Sequence, residues 1–220
     1  MKIEERLQKL REQMAERNLA AYIVPTEDFH NSEYVGDYFK AREYLSGFTG
    51  SAGTLLVCRK EAFLWTDGRY FLQAQQQLAQ STIELMKSGQ PGVPALEEYL
   101  AEHLKDGDRV GFDGRTVTKA FVEKLQDKTA DKQITFYSRE DLADLVWTDR
   151  PALSAEPVWE LEEAFAGLSR EEKLDKVREK MQAQKADALA DGARRDCMAF
   201  ESAGKRCASY ARFPGIYASD

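Results

Sequence analysis

From Tyr44 to Tyr70 the sequence runs YLSGFTGSAGTLLVCRKEAFLWTDGRY, and no other stretch constrains the fold as much. Gly47, Gly50 and Gly53, with Thr49 and Ser51 among them, have the spacing expected where a backbone takes positive φ or approaches another group closely. Leu55–Val57 and Phe63–Trp65 read as two short strands joined by a polar turn at Arg59 and Lys60, which is a β-hairpin. Thr66, Asp67 and Gly68 close the second strand and hand over to a helix. Asp67 is the expected N-cap of that helix, since a carboxylate can accept a free N–H of the first turn.

Around the hairpin, short apolar runs alternate with helical periodicity. Ile3, Leu7, Leu10 and Met14 predict an amphipathic helix over residues 2–17, and AAYIV (Ala20–Val24) before Pro25 predicts a buried strand. The turn-rich segment Thr26–Asp37, which carries His30, is a loop at the carboxyl end of that strand, bounded downstream by Arg42 and Tyr44. A lone histidine beside Asp28 and Glu33 reads as a solvated loop residue. Phe71–Leu78 continues as a helix with a solvated glutamine face, and Ile83–Met86 is a strand. Residues 88–94, SGQPGVP, form a loop. Leu96, Tyr99, Leu100 and Leu104 share one helix face, with His103 near that helix's C-terminus at the surface. Arg109–Phe112 is a strand, Thr116–Leu125 a helix, Ile134–Tyr137 a strand and Asp141–Trp147 a short helix. The alternation predicts an α/β fold with a mixed or largely parallel sheet of five or six strands flanked by helices.

Composition narrows the function classes. Lys and Arg total 31 against 38 Asp and Glu, and the charges are interspersed rather than gathered on a basic face, so a nucleic-acid partner is not expected. No run approaches the roughly 18 apolar residues of a membrane span, and MKIEERLQKLREQ lacks the apolar core of a signal peptide. A cytoplasmic protein without a membrane partner is the expectation. The three cysteines, Cys58, Cys197 and Cys207, have neither CxxC spacing nor an even count, which favours neither disulfides nor structural zinc. Cys58 reads as a reduced strand residue.

A boundary falls after Trp147. Residues 1–147 read as one domain and 148–168 as a linker in which Pro151 and Pro157 prevent regular structure. Residues 169–189 read as the first helix of a second, incomplete α/β domain. That helix opens on a capping box, Ser169 with Glu172, and Leu174, Val177 and Met181 line one face. From about residue 190 the pattern breaks. Residues 190–220 lack an apolar run and alternation, and they gather Arg194, Arg195, Lys205, Arg206 and Arg212 without helical spacing. Such a segment buries too little to offset roughly 1–2 kcal/mol of ordering per residue, so a loose tail is expected.

EYLSGFTGSAG followed by LWTDGRYFLQAQQQL resembles the N-terminal domain of aminopeptidase P, the Xaa-Pro aminopeptidases of the creatinase and prolidase superfamily (peptidase family M24). GLSREEKLDKVREKMQAQKADAL is similar to the opening helix of the second domain in three-domain members. The resemblance extends to the tail in another reading frame. Shifting the bases by one place from Arg194 can spell a segment similar to the one that follows KADAL in the family. Its tryptophan is forced, because Met198 is ATG and Ala199 begins with G. An out-of-frame translation from about residue 190 is therefore the expectation.

The resemblance implies a metal-dependent peptidase that removes an N-terminal residue ahead of proline, using two divalent ions, manganese in the intact relative, held by a C-terminal catalytic domain. No metal ligand carries over to His30 or His103, so this chain is expected to hold no cofactor and to be inert alone. The implied partners are that catalytic domain and further copies in a homo-oligomer, with the N-terminal domain narrowing access to an active site. The residues so implicated are Arg42, Phe48, Thr49, Ser51, Asp67, Arg69 and Tyr70. Taken as residues alone, Phe48 and Tyr70 read as packing, Asp67 as a cap, and Arg42 and Arg69 as surface ion pairs. A free-standing binding or regulatory module of the same fold is the alternative. An unrelated serine hydrolase is disfavoured, since no GxSxG occurs.

Overall fold

The computed structural model describes residues 1–29, 31–32, 34–155, 157, 159–189 and 202–203. These divide into two compact units, one of Met1–Ala152 and one beginning at Leu153.

The first unit is built on a mixed six-stranded sheet. Its strands are β1 (Ala21–Pro25), β2 (Thr54–Cys58), β3 (Ala62–Thr66), β4 (Ile83–Lys87), β5 (Arg109–Phe112) and β6 (Thr135–Tyr137), in the order β4-β3-β2-β1-β5-β6. The expected hairpin is present: β2 pairs antiparallel with β3, Leu55 opposite Leu64, and Cys58 N–H bonds Glu61 O across the turn at 2.8 Å. β2 also runs antiparallel to β1, whereas β3–β4, β1–β5 and β5–β6 are parallel. All strands but β2 therefore point the same way, and their carboxyl ends share one edge.

Period-two alternation decides which side chain faces which helix layer. Tyr22, Val24, Leu55, Val57 and Leu64 face a core shared with Leu7, Leu10 and Met14 of α1 (Ile3–Glu16), Ala74 of α3 (Phe71–Gln77), and Leu142 and Val146 of α6 (Leu142–Val146). Ile23, Leu56, Phe63, Trp65 and Val110 face the other core. There they meet Leu96, Tyr99 and Leu100 of α4 (Leu96–His103) and Leu125 of α5 (Lys119–Lys128). Both faces of the strands are covered, which is why they read as continuous apolar runs. Each such fully buried aliphatic or aromatic side chain contributes about 1.5–3 kcal/mol.

Several boundaries differ from the sequence expectation. The helix expected from Thr116 begins at Lys119, because the Thr118 hydroxyl caps it by accepting Phe121 N–H at 3.2 Å. A helix not anticipated, α2 (Ala41–Ser46), follows a 3₁₀ turn at Asp37–Phe39 and ends on Gly47, whose φ is +73°. Within 148–168, expected to lack regular structure, Trp159–Glu160 forms a short strand β7, pairing antiparallel with β8 (Ser202–Ala203), and Glu163–Ala166 forms one helical turn, α7. Neither proline of that segment lies inside these pieces, so neither removes a bond they need. The helix after the linker, α8 (Arg170–Ala183), carries the expected capping box: Ser169 Oγ accepts Glu172 N–H, and Ser169 N–H donates to Glu172 Oε2 at 2.9 Å. Apart from Ser202 and Ala203, the tail from residue 190 lies outside the described residues.

Candidate functional site

Carboxyl ends of parallel strands are where α/β folds gather exposed loops. Here that edge carries the loop after β1, the glycine-rich loop Gly47–Gly53, the turn after β3 and the loop after β5. The glycine-rich loop is pinned from several sides. Thr26 N–H and Oγ1–H both donate to Gly53 O, at 3.0 and 2.8 Å. Thr66 Oγ1–H donates to Ala52 O at 2.6 Å. Gly50 has no room for a side chain, since a Cβ there would lie 2.3 Å from Phe48 Cζ and 2.8 Å from Tyr70 Cδ1.

Arg42 is the centre of this arrangement. The residue is 4% exposed, and its guanidinium donates to Thr26 Oγ1 at 2.7 Å, to Phe48 O and to Gly50 O. It also lies over the Phe48 ring, 4.8 Å from the centroid. The reading of Arg42 as a surface ion pair is therefore corrected. Burial pushes its pKa down to about 10, which still leaves it charged at neutral pH.

Phe48 is fully buried and meets Tyr70 edge-on at 5.9 Å, in line with its reading as a packing residue. Tyr70 Oη and Ser51 Oγ share a hydrogen bond of 2.6 Å. Thr49 is held from α3: its hydroxyl accepts from Gln73 and Gln77, each at 2.9 Å, and its N–H donates to Gln77 Oε1 at 3.0 Å. The glutamine face of α3 thus spends two members on the loop rather than on water.

Asp67 does not cap α3. Helix α3 starts at Phe71 with Tyr70 at its N-cap and no side-chain cap, while the Asp67 carboxylate accepts Arg69 N–H at 3.0 Å and pairs with the Arg69 guanidinium at 2.9 and 2.8 Å. The chain needs a full turn after the strand before helical geometry begins, and by then Asp67 is too far upstream. Those bonds to Arg69 hold the Asp67 carboxyl below its usual range. The structure thus joins Arg42, Phe48, Thr49, Ser51 and Tyr70 into one cluster and leaves Asp67 and Arg69 as an exposed pair on the neighbouring turn.

Sequence reasoning missed the other half of the edge. Arg150 pairs with Asp141 at 2.6 Å, donates to Tyr38 O at 2.8 Å and lies over the Tyr38 ring at 3.9 Å. Arg115 grips Asp113 through two bonds of 3.0 Å and lies over Phe29 at 4.7 Å. Together they hold the loop after β1 against the segments that follow β5 and precede α6. Spacing could not reveal the contacts of these arginines with Tyr38 and Phe29, because those partners stand on a distant loop.

Glu27, also missed, is half-buried beside Asp28, and burial followed by that neighbouring charge raises its pKa to about 7. A carboxyl raised in the fold favours folding at low pH, and that contribution is lost as pH rises from about 4.5 through 7. Glu27→Gln is accordingly expected to leave stability unchanged near pH 4, below the ordinary carboxyl range. Near pH 8 it should raise stability by about 1 kcal/mol, after allowance for solvent screening. Urea unfolding of both chains at the two pH values checks this.

Among the described residues no three His, Cys, Asp or Glu side chains converge to hold a metal ion. His103 bonds Tyr99 O through Nδ1 at 2.8 Å and stacks on the Tyr99 ring, at the end of α4 that leads away from this edge. His30 lies outside the described residues. No described helix is long and apolar enough to cross a membrane.

Two models described as Creatinase/Prolidase N-terminal domain match the chain, over residues 6–145 and 149–195. A probable Xaa-Pro aminopeptidase P of Laccaria bicolor is 39% identical over 187 residues, covering 84% of this chain and 29% of the relative. Xaa-Pro aminopeptidase 1 of Dictyostelium discoideum is 36% identical over 196 residues, covering 85% and 31%. Among solved structures, an X-prolyl aminopeptidase of Caenorhabditis elegans, described as a cytosolic enzyme with a di-nuclear active site, superposes with a TM-score of 0.74 at 37% identity, covering 85% of this chain and 32% of that one. The chain thus spans less than a third of the length of these relatives.

Proposed function

Because the chain belongs to the creatinase/prolidase family through its N-terminal domain, we propose that it is a non-catalytic part of a metal-dependent Xaa-Pro aminopeptidase, working with a catalytic domain that carries two manganese ions. In this reading the six-stranded unit serves oligomerisation and narrows access to the active site, so that extended peptides enter and folded proteins do not. The observation that carries the proposal is the asymmetry of coverage. More than four-fifths of this chain aligns with peptidases at 36–39% identity, yet it accounts for only 29–31% of them. The glycine-rich loop and its Arg42 clamp present Thr49, Ser51 and Tyr70 at the carboxyl edge, where a neighbouring domain could meet them. Asp67 and Arg69 flank that surface. A cytoplasmic location fits the cytosolic worm enzyme. Residues from about 190 onward are taken as an out-of-frame reading of the second domain.

One experiment with two readouts tests this. The purified chain, given manganese and a peptide with proline in second position, should release no N-terminal residue above the blank. The coding DNA beyond the Leu189 codon should open, one base on, into sequence similar to the second domain of the peptidases. Release of the residue sinks the non-catalytic assignment, and a shifted frame without family likeness sinks the out-of-frame one.

A further inference from the structure

Three hollows at the carboxyl edge share Glu27 in their walls. Among the described residues, every other charged side chain that lines or adjoins them is engaged. Asp28 accepts Ser32 N–H and Oγ–H at 3.0 and 2.6 Å, Asp113 holds Arg115, and Asp141 holds Arg150. The neighbouring Arg42 is spent on Thr26 and the glycine-rich loop. Glu27 alone has no hydrogen bond or ion pair with any described residue. A half-buried carboxylate without a partner is costly, and it is relieved by whatever cation can reach it.

The hollow between β1, the start of β2 and the entry to α5 has a volume of about 150 Å³. A water occupies roughly 30 Å³, so there is space for an ionic head and a short alkyl stem. Its wall is apolar at Ile23, Pro25, Val117 and Phe121, and besides Glu27 it is polar at Asn31, Thr54, Thr116 and Thr118. The Thr116 hydroxyl spends its proton on Asp113 O at 3.1 Å, which leaves its oxygen as an acceptor. One carboxylate with hydroxyl acceptors suits a group bearing three N–H donors, and the apolar wall suits its methylenes. A divalent metal would need more carboxylates, and a guanidinium would need an opposed bidentate fork and a stacking face.

We infer that Glu27 and this hollow form a receptor for a primary ammonium group, from a lysine side chain or a peptide N-terminus. The inference stands apart from the proposed peptidase role, since it rests only on an unpaired carboxylate and the space before it. Its pH dependence follows from the ionisation of Glu27, the one titratable group lining this hollow among the described residues. With a pKa of about 7, the ionised fraction grows roughly eightfold between pH 6 and pH 7.5.

The test is an NMR titration of the full chain with Nα-acetyl-lysine amide, with alanine amide and with Nα,Nε-diacetyl-lysine amide as an uncharged control. The amides of Glu27, Thr54 and Val117 should shift saturably with an ammonium probe, with affinity falling roughly eightfold from pH 7.5 to pH 6. Glu27→Gln should weaken binding at pH 7.5 at least about tenfold. Binding of the lysine probe alone assigns a side-chain ammonium, binding of alanine amide alone assigns a terminal one, and either supports the site. Equal binding by the control or by the Glu27→Gln chain overturns it. So does pH-independent affinity, or no saturable shift up to roughly 100 mM.

Discussion

Arg42→Met is expected to cost about 3–5 kcal/mol of folding free energy, a large share of what a domain of this size possesses. The arginine is 4% exposed and has no carboxylate partner among the described residues, so the loss comes from its acceptors rather than from a broken ion pair. Methionine has nearly the same length and apolar stem, which keeps the packing over the Phe48 ring. It donates nothing, however, and the carbonyls of Phe48 and Gly50 are left buried without a donor at about 1–3 kcal/mol each. Arg42→Lys should fall between, since one ammonium cannot reach all three acceptors in the directions of a planar fork. Urea midpoints of the three chains measure the effect. A Met variant within about 1 kcal/mol of the parent would mean that the loop finds other donors.

Phe48→Ala should cost about 3–5 kcal/mol by a different route. The ring is fully buried, packs edge-on against Tyr70, and fills the space that Gly50 and Gly53 leave by lacking side chains. Its removal opens a cavity that the loop cannot close, because Thr26, Arg42 and Thr66 hold the loop's carbonyls from outside. Combining Phe48→Ala with Arg42→Met should cost less than the sum of the two by about 1–2 kcal/mol, since each change loosens the same loop, which Arg42 holds through Phe48 O and Gly50 O. Strict additivity in the unfolding curves would show that the arginine and the ring act separately.

The hairpin was legible because its cause is local: two apolar runs with a short polar turn between them have one economical pairing. The same holds for α1, α4 and the Ser169–Glu172 capping box, where a single periodicity or a fixed three-residue spacing carries the signal. Asp67 shows the limit. Its spacing suits a cap, but the strand-to-helix turn consumes the residues between, and Arg69 offers the carboxylate nearer donors. Helix α2 was hidden for a related reason, being one short stretch whose stability comes from burying Ala41, Leu45 and Arg42 rather than from its own propensity.

The sequence alone determined the family, the alternation of strands and helices, and the glycines around Phe48, because each depends on residues close together in the chain. Only the tertiary structure decided what the charged residues do. Arg42 became a buried clamp because its acceptors stand on the loop after β1 and on the glycine-rich loop, and Arg150 found Asp141 and Tyr38 on two other elements. Glu27 has no partner among the described residues, because Arg42, Arg115 and Arg150 are held by other groups. Pairing of charges depends on distance in space, and distance in space between loops is set by the sheet that brings their ends to one edge.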